Sequence, residues 1–409
     1  MKSRLFCCLT MALALSCLGA PASADTTIEW WQFWTDPAIK PTIDSMVQEF
    51  ERQNPGIDIK VTDLTWANGH EKIVIGFASG RGPDIVELGS DWIAQFAANG
   101  QIADISADIA TDSSGFQGWG MSTYDGKVYA VPWILGTRVL FANRDLLTMA
   151  GYDSTWVPVS LPHFYGAVAK IDTVGRPNGI YGWGSNTAEK HRLYKKFLPF
   201  FWTYGGQVFT DDGRYCVVSS TKAVDALKDY KWINDAYGYV ADQRGIEDAF
   251  LDGKIGFILS GDWLLKRIEL EKRKINFVTT LFPGPGYPGR SFMGGEFLAI
   301  NAKSEHRDHA LAFVRFVTSP ANQVRFCKAN RSTNPSSVQA QADPYFQNDI
   351  NKLTFIKQIQ LAKNPPVDPN WVYIEDEIER AVEDALFGRG LPATALLEAQ
   401  KRITELIEQ

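Results

Sequence analysis

The sequence predicts an α/β fold in which helices cover mostly parallel sheets. Two observations support this class: short apolar segments of strand type alternate with amphipathic helical segments, and 409 residues are enough for two or three domains. With 45% hydrophobic and 22% charged residues, the composition is typical of a soluble globular protein. It excludes a disordered chain, a fibrous repeat and a small disulfide-stabilised scaffold.

The first quarter of the chain follows the order βαβαβα. The helix that begins at Pro41 places Ile43, Met46, Val47 and Phe50 on one stripe, which is the spacing of a helix packed against a core. In parallel sheets of this kind, ligands bind in the loops after the carboxyl ends of the strands. The predicted strands are 28–34, 57–61 and 83–86, and further helices contain residues 73–77 and 93–96.

The remainder has the same character without an internal repeat. Strands are predicted at 255–259, 276–280 and 297–300, helices after residues 221 and 304, and two C-terminal helices separated by residues 388–390.

Residues 1–24 have the pattern of a secretory signal peptide. Lys2 and Arg4 precede an apolar stretch over 5–18, and residues 22–24 (ASA) form an A-x-A cleavage site. The apolar stretch is shorter than the about 20 residues that span a bilayer. A lipid anchor at Cys17 is the less favoured alternative, because the preceding residues make a poor lipoprotein cleavage box. We expect an exported, periplasmic protein.

The charge distribution argues against nucleic acid as a partner. The chain has 41 Lys and Arg against 47 Asp and Glu, a net charge of −6, and no basic patch that would bind a phosphate backbone. A basic run at 190–192 and 195–196 is interpreted as a solvated helix face, with binding of a phosphate-bearing ligand as the alternative. The residues suggest neither a metal site nor a cofactor.

Six motifs occur in an order typical of one family. With them the chain resembles the extracellular solute-binding family 1 of ABC sugar importers, the maltose-binding-protein-like proteins. Each motif is weak alone, and together they are specific. Ala142, where the family prefers Tyr, and Cys327 are departures from the family pattern. The motifs are 79–86 (SGRGPDIV), 125–132 (DGKVYAVP), 141–146 (FANRDL), 249–256 (AFLDGKIG), 260–263 (SGDW) and 294–300 (GGEFLAI).

The resemblance implies a periplasmic-binding-protein-like fold: two α/β lobes, a central cleft and several hinge crossovers. The crossovers map near residues 136–138, 292–296 and 330–334. The N-terminal lobe is then 25–137 plus 293–329, and the C-terminal lobe 138–292 plus 330–409. Cys216 and Cys327 fall in different lobes, and a bond between them would tether bodies that must rotate. We therefore expect two free thiols.

The resemblance also implies a function without catalysis. Members of the family capture a sugar or oligosaccharide in the cleft and deliver it to a membrane permease, so we expect a monomeric carrier. One alternative is a carrier of a non-sugar or sugar-derived solute, such as an osmolyte glycoside or a glycerophosphodiester. A second is a secreted carbohydrate-active enzyme, which needs two carboxyl groups about 5–9.5 Å apart. Asp91, Asp262 and Glu296 could supply such a pair.

Candidate site residues follow from the chemistry of sugars. A sugar ring has an apolar C–H face and a girdle of hydroxyls, so it needs aromatic platforms and polar side chains. Trp34 and Trp66 follow predicted strands, as do Asp91 and Trp92. Each Trp could instead belong to the core, and Asp91 could cap the next helix. Trp133 is a further candidate with the same alternative.

The second set of candidates lies at the hinges and in the second lobe. Trp263 stands where family relatives stack a sugar, and Asp262 precedes it. Arg138 lies on a crossover strand and needs either a carboxylate or the ligand. Gly295 would let backbone amides approach the ligand, and Glu296 would accept a hydroxyl. Trp371 resembles the family's late aromatic contact.

Overall fold

A computed structural model describes residues 26–110, 113–188 and 193–408, so the predicted signal peptide and residues 190–192 of the basic run lie outside the described residues. The described strands are β1 (Thr26–Gln32), β2 (Ile57–Asp63), β3 (Ile85–Gly89), β4 (Thr123–Tyr124), β5 (Lys127–Val128), β6 (Ala130–Thr137), β7 (Val139–Asn143), β8 (Tyr181–Ser185), β9 (Gly238–Val240), β10 (Ile255–Ser260), β11 (Phe277–Thr280), β12 (Met293–Ile300) and β13 (Asn334–Pro335).

The helices alternate with these strands in the first half and dominate the last quarter of the chain. They are α1 (Lys40–Gln53), α2 (Gly69–Ala78), α3 (Ile93–Ala98), α4 (Arg144–Met149), α5 (Leu161–Gly175), α6 (Tyr194–Thr203), α7 (Thr221–Tyr237), α8 (Gln243–Leu251), α9 (Trp263–Leu270), α10 (Arg307–Val317), α11 (Pro320–Asn330), α12 (Val338–Gln341), α13 (Pro344–Gln347), α14 (Ile350–Leu361), α15 (Trp371–Leu386) and α16 (Pro392–Ile407). Among the residues described, no helix is long and apolar enough to cross a membrane.

The first sheet has the strand order β13-β6-β12-β3-β1-β2. Strand β1 pairs in parallel with both β2 and β3, as the βαβαβα pattern predicted. Strand β12 is antiparallel to β3 and to β6, because the chain re-enters this sheet after leaving it. The predicted α/β class is confirmed, with a mixed rather than a wholly parallel sheet.

The second sheet has the order β11-β7-β10-β8-β9, with β8 parallel to β9 and β10 and β7 antiparallel to β10 and β11. Helices α5 and α7 pack against β8 on one side of this sheet, and the C-terminal helices α15 and α16 pack on α7. The two sheets and their helices form the two lobes.

The chain passes between the sheets at short segments. Arg138 alone separates β6 in the first sheet from β7 in the second, and β12 begins in the first sheet after β11 has ended in the second. The expected hinges near residues 136–138 and 292–296 stay a prediction. The third differs in detail: β13 pairs with β6, and Phe346 and Ile356 belong to the core of the first lobe. The first lobe therefore includes residues that the sequence assigned to the second.

The predicted core of the first lobe is confirmed at α1. Ile43, Met46, Val47 and Phe50 are all buried and pack against the first sheet. Cys327 is buried in this core and Cys216 in the core of the second lobe, and both thiols are free, as expected.

Candidate ligand-binding site

A cavity of about 320 Å³ lies where the carboxyl ends of β1, β3 and β10 meet the crossover segments. Its volume is at the lower end of the range for small-molecule pockets, about 300–1,000 Å³. Both lobes contribute side chains to it, so a bound solute would contact both. Nine of the eleven predicted site residues line it: Trp34, Trp66, Asp91, Trp92, Arg138, Asp262, Trp263, Gly295 and Glu296.

Three indoles form the first-lobe wall. Trp66, in the loop after β2, stacks on Phe33 with ring centroids 4.2 Å apart and lies 5.7 Å from the ring of Trp92. Trp66 is 42% exposed, so part of its ring is open to a ligand. Trp34 follows β1, and its indole Nε1 donates to the buried carboxyl of Glu87, 2.9 Å away. The wall therefore combines flat apolar surface with fixed ring positions.

Trp263 lies on the second-lobe wall as the first residue of α9. Its Nε1 donates to Glu247 Oε1 at 2.7 Å, and its ring folds so closely over Gly261 that a Cβ there would lie 1.9 Å from the ring. The guanidinium carbon of Arg138 lies 4.5 Å from the ring centroid, within the range of a cation–π contact. Arg138 thus connects the crossover strand to this indole.

Two acidic side chains of the cavity have strongly raised pKa values. Burial raises the pKa of Glu296 to about 8, and the nearby carboxylates of Asp262 and Asp91 raise it further in the same sense. Burial also raises the pKa of Asp262 to about 7, although Arg138 and a hydrogen bond from Asn334 Nδ2 to Oδ2, 2.6 Å long, oppose the shift. Protonated carboxyl groups donate as well as accept hydrogen bonds, which suits a ring of hydroxyls.

Asp91 faces a lysine across the cavity. The Nζ of Lys195 lies 3.5 Å from Asp91 Oδ2, and helix α3 begins without a side-chain cap, so Asp91 does not serve as the helix cap. The interpretation of Lys195 and Lys196 as a solvated face is wrong. Lys195 lines the cavity, and Lys196 is buried with its Nζ donating to the carbonyl of Leu259.

The structure explains the glycine at position 295 differently from the prediction that it lets backbone amides approach the ligand. The amide of Gly295 donates to Ser90 Oγ at 3.3 Å and its carbonyl accepts from Ser90 N at 2.9 Å. A Cβ on Gly295 would lie 2.3 Å from the carbonyl oxygen of Ile134 on β6. Glycine is therefore required for the close approach of β12 to β6.

Two predicted site residues lie in the cores rather than at the cavity. Trp133 is fully buried, because both faces of β6 are covered, and its ring packs against Phe326 at 4.6 Å and Trp30 at 5.9 Å. Trp371 begins α15 and is buried in the core of the second lobe.

Sequence reasoning missed several lining residues. Tyr194 and Lys195 open α6, and the hydroxyl of Tyr194 donates to Glu375, whose pKa burial raises to about 7. The basic run was the only feature that marked Lys195, and nothing in the sequence marked Tyr194, whereas most of the other missed residues lie beside a crossover or a predicted strand end. The other missed side chains are Ser90, Leu135, Phe292, Ser332, Thr333 and Pro365.

Comparison with known proteins places the chain in a family. Residues 36–324 match the bacterial extracellular solute-binding proteins, which is more than half of the sequence. The chain belongs to this family. Its members are solute-binding proteins, which agrees with a site built between two lobes and not within one.

Relatives and solved structures resemble the chain over most of its length. The maltodextrin-binding protein MdxE of Bacillus subtilis is 24% identical over 392 residues, covering 90% of this chain and 88% of the relative. The diacetylchitobiose-binding protein DasA of Streptomyces coelicolor is 25% identical, covering 70% and 68%. The sugar-binding protein MalE of the phytopathogen Xanthomonas citri superposes with a TM-score of 0.84 at 25% identity, covering 94% and 98%.

Proposed function

We propose that this protein is the substrate-binding component of an ABC importer that captures a sugar or oligosaccharide between its lobes. One observation carries the proposal: both walls of a single cavity combine indoles with carboxyl groups and polar side chains. The indole faces match the apolar face of a pyranose, and the carboxyl groups match its hydroxyls. The relatives described above are named for maltodextrin and diacetylchitobiose, which supports the same class of ligand.

The balance of charge favours a neutral glycoside over an anionic solute. Arg138 and Lys195 are the cationic residues among those that line the cavity, against three acidic residues, Asp91, Asp262 and Glu296. Because the pKa values of Asp262 and Glu296 are about 7 and 8, a phosphodiester could enter only with these two carboxyl groups protonated, whereas a neutral glycoside can bind either form. A glycerophosphodiester is therefore the second candidate and belongs in the same binding panel.

In this role the protein is exported to the periplasm, binds its sugar as a monomer, and presents the closed form to membrane permease subunits. Closure fixes the relative position of the two lobe surfaces that flank the cleft. A permease that contacts both surfaces can therefore distinguish the closed form from the open form. The family's extracellular location supports the proposed compartment.

The proposal is tested by a thermal-shift panel followed by calorimetry. The panel contains maltose, maltotetraose, mannobiose, diacetylchitobiose, tagatose and glycerophosphocholine. A saccharide that binds only the folded protein raises the melting temperature, by an amount equivalent to about 2.7 kcal/mol at 100 times Kd. A shift with glycerophosphocholine alone would favour the second candidate. Release of reducing sugar from any oligosaccharide would instead identify an enzyme.

A further inference from the structure

In each lobe, a buried glutamate accepts a hydrogen bond from the indole of a cavity tryptophan. In the first lobe, Trp34 Nε1 donates to Glu87 Oε1 at 2.9 Å. In the second, Trp263 Nε1 donates to Glu247 Oε1 at 2.7 Å. The exposed fractions of Glu87 and Glu247 are 0% and 3%. Neither glutamate is among the residues that line the cavity, so both act from behind it.

Glu87 ties Trp34 to the centre of the first sheet. It lies on β3, and its second oxygen accepts from the backbone N–H of Phe33 at 2.8 Å, where β1 has just ended. One carboxyl group therefore holds both the backbone before Trp34 and the ring of Trp34. Burial and the neighbouring Glu296 raise the pKa of Glu87, and a carboxyl group keeps an acceptor oxygen in either protonation state.

Glu247 ties Trp263 to three elements of the second lobe. It lies on α8, and the same Oε1 accepts from the hydroxyl of Ser260 at the end of β10, at 2.9 Å. Its other oxygen lies 3.4 Å from Arg267 Nη1 on α9, the helix that Trp263 begins. This network leaves the indole little freedom to rotate.

We propose that Glu87 and Glu247 are positioning residues that set the orientation of Trp34 and Trp263 toward a bound sugar. This inference rests on the proposed function. The indole N–H is the only strong hydrogen-bond donor of a tryptophan side chain, so a buried acceptor fixes the tilt of the ring as well as its location. Holding the N–H edge from behind leaves the face and the opposite edge to the ligand. Stacking on a pyranose depends on that tilt.

The test compares conservative and apolar variants by two readouts. Glu247→Gln and Glu87→Gln keep one acceptor oxygen for the indole but place an amide NH2 where the second carboxyl oxygen faced a donor, whereas Glu247→Leu and Glu87→Leu remove both oxygens. Indole N–H signals in ¹H–¹⁵N spectra, assigned with Trp34→Phe and Trp263→Phe, report each hydrogen bond without a ligand. We expect the Leu variants to shift the signal of the partnered indole and to speed its exchange with solvent several-fold, and the Gln variants to change it little.

The second readout is affinity for the member of the saccharide panel with the lowest Kd. We expect the Leu variants to weaken this affinity about 10- to 100-fold, by analogy with metal sites, where loss of the outer-shell partner of a ligand has an effect of that size. The Gln variants, which keep one acceptor for the indole, should lose less affinity than the Leu variants. The matched control is Glu29→Leu, since Glu29 accepts from Trp31 Nε1 at 3.1 Å in the same lobe and neither residue lines the cavity. It should shift the Trp31 signal and leave affinity unchanged.

An unchanged indole signal in a folded Leu variant would overturn the inference, as would an equal loss of affinity in Glu29→Leu. If a Leu variant does not fold, Trp263→Phe and Trp34→Phe test the same bond from the donor side, because each keeps a ring and removes the N–H. Affinity retained in both Phe variants would equally overturn it. If no panel member binds, the proposed sugar function fails, and the indole signals still decide whether the glutamates hold the rings.

Discussion

At the scale of single residues, the site owes its properties to a few side chains held at strand ends. Trp263 is held at its N–H edge by Glu247 and contacted at its ring by Arg138, so its position in the cavity is determined on two sides. Its neighbour Asp262 and the facing Glu296 are carboxyl groups largely removed from water. The flat ring and the carboxyl groups make separable, testable contributions.

Removing the Trp263 ring should weaken sugar binding. We expect Trp263→Ala to cost about 1–3 kcal/mol of binding free energy, the order for losing a stacking platform and its buried apolar area. Calorimetry with the best saccharide of the panel measures it. Trp232→Ala is the control, because Trp232 is 43% exposed on α7 and does not line the cavity. Equal affinity in Trp263→Ala and the unsubstituted protein would remove this indole from the site.

The carboxyl group of Glu296 should make stability fall as pH rises. Its pKa is about 8 in the folded protein against 4.5 as the ordinary value, so the unfolded chain releases its proton first. The folded state therefore loses stability between about pH 4.5 and pH 8. We expect the melting temperature to fall over this window in ligand-free protein, and to fall less in Glu296→Gln, whose amide does not ionise.

The control for this titration is Glu398→Gln, since Glu398 pairs with Lys401 on α16 and its pKa is lowered instead. The melting temperature of Glu398→Gln should change with pH as that of the unsubstituted protein does above pH 5. A slope in Glu296→Gln as steep as in the unsubstituted protein would show that Glu296 ionises normally.

At the scale of elements, β12 is the strand that connects β3 and β6 beneath the cavity. It lies between β3 and β6, and the glycine at position 295 lets it approach Ile134 of β6. The same strand contributes Glu296 to the cavity. A change in its spacing from β6 would therefore affect both stability and the site.

Adding a methyl group at position 295 should destabilise the protein. We expect Gly295→Ala to lower the free energy of unfolding by about 1–3 kcal/mol, because its Cβ would overlap the Ile134 carbonyl. Denaturant unfolding measures the loss. Gly136→Ala on the paired strand is the control, since a Cβ there would have no neighbour within 4 Å. Comparable stability of the two variants would contradict the packing argument.

Elements in which apolar residues recur at a clear helical or strand spacing could be predicted from the sequence, and elements without such a spacing could not. The stripe of α1 and the order of the first three strands follow from spacing and turn residues. Trp133 was misplaced because β6 is buried on both faces, so alternation carries no information there. Trp371 was misplaced because the family resemblance was preferred to the apolar period of α15, in which Trp371, Ile374 and Ile378 share the buried stripe. Lys195 was misread because a run of charge does not reveal that α6 is otherwise buried on every side.

At the scale of the whole molecule, polar contacts between described residues join the lobes, and one of them, from Asn334 Nδ2 on β13 to Asp262 Oδ2 at 2.6 Å, is buried. Lys195 of the second lobe meets Asp91 of the first at 3.5 Å, and Lys266 meets Asp36 at 2.9 Å. Such partly exposed ion pairs are worth about 0–1 kcal/mol each. These two ion pairs alone would not lock the lobes, and we expect a ligand that contacts both lobes to favour a closed form.

Sugar binding should make the molecule more compact. We expect small-angle scattering to show a smaller radius of gyration with a saturating saccharide that binds, because both lobes contact it. A saccharide that gives no thermal shift is the control and should leave the curve unchanged. Identical curves with and without a saccharide of proven affinity would exclude closure as the response.

The late position of β12 in the chain has a consequence for how the protein is made. Strands β3 and β6 are not joined into one sheet until residues 293–300 are inserted between them as β12. As the polypeptide leaves the ribosome, its leading lobe is unable to finish folding during most of synthesis. We expect the first sheet of the growing chain to stay incomplete until about residue 300 has emerged.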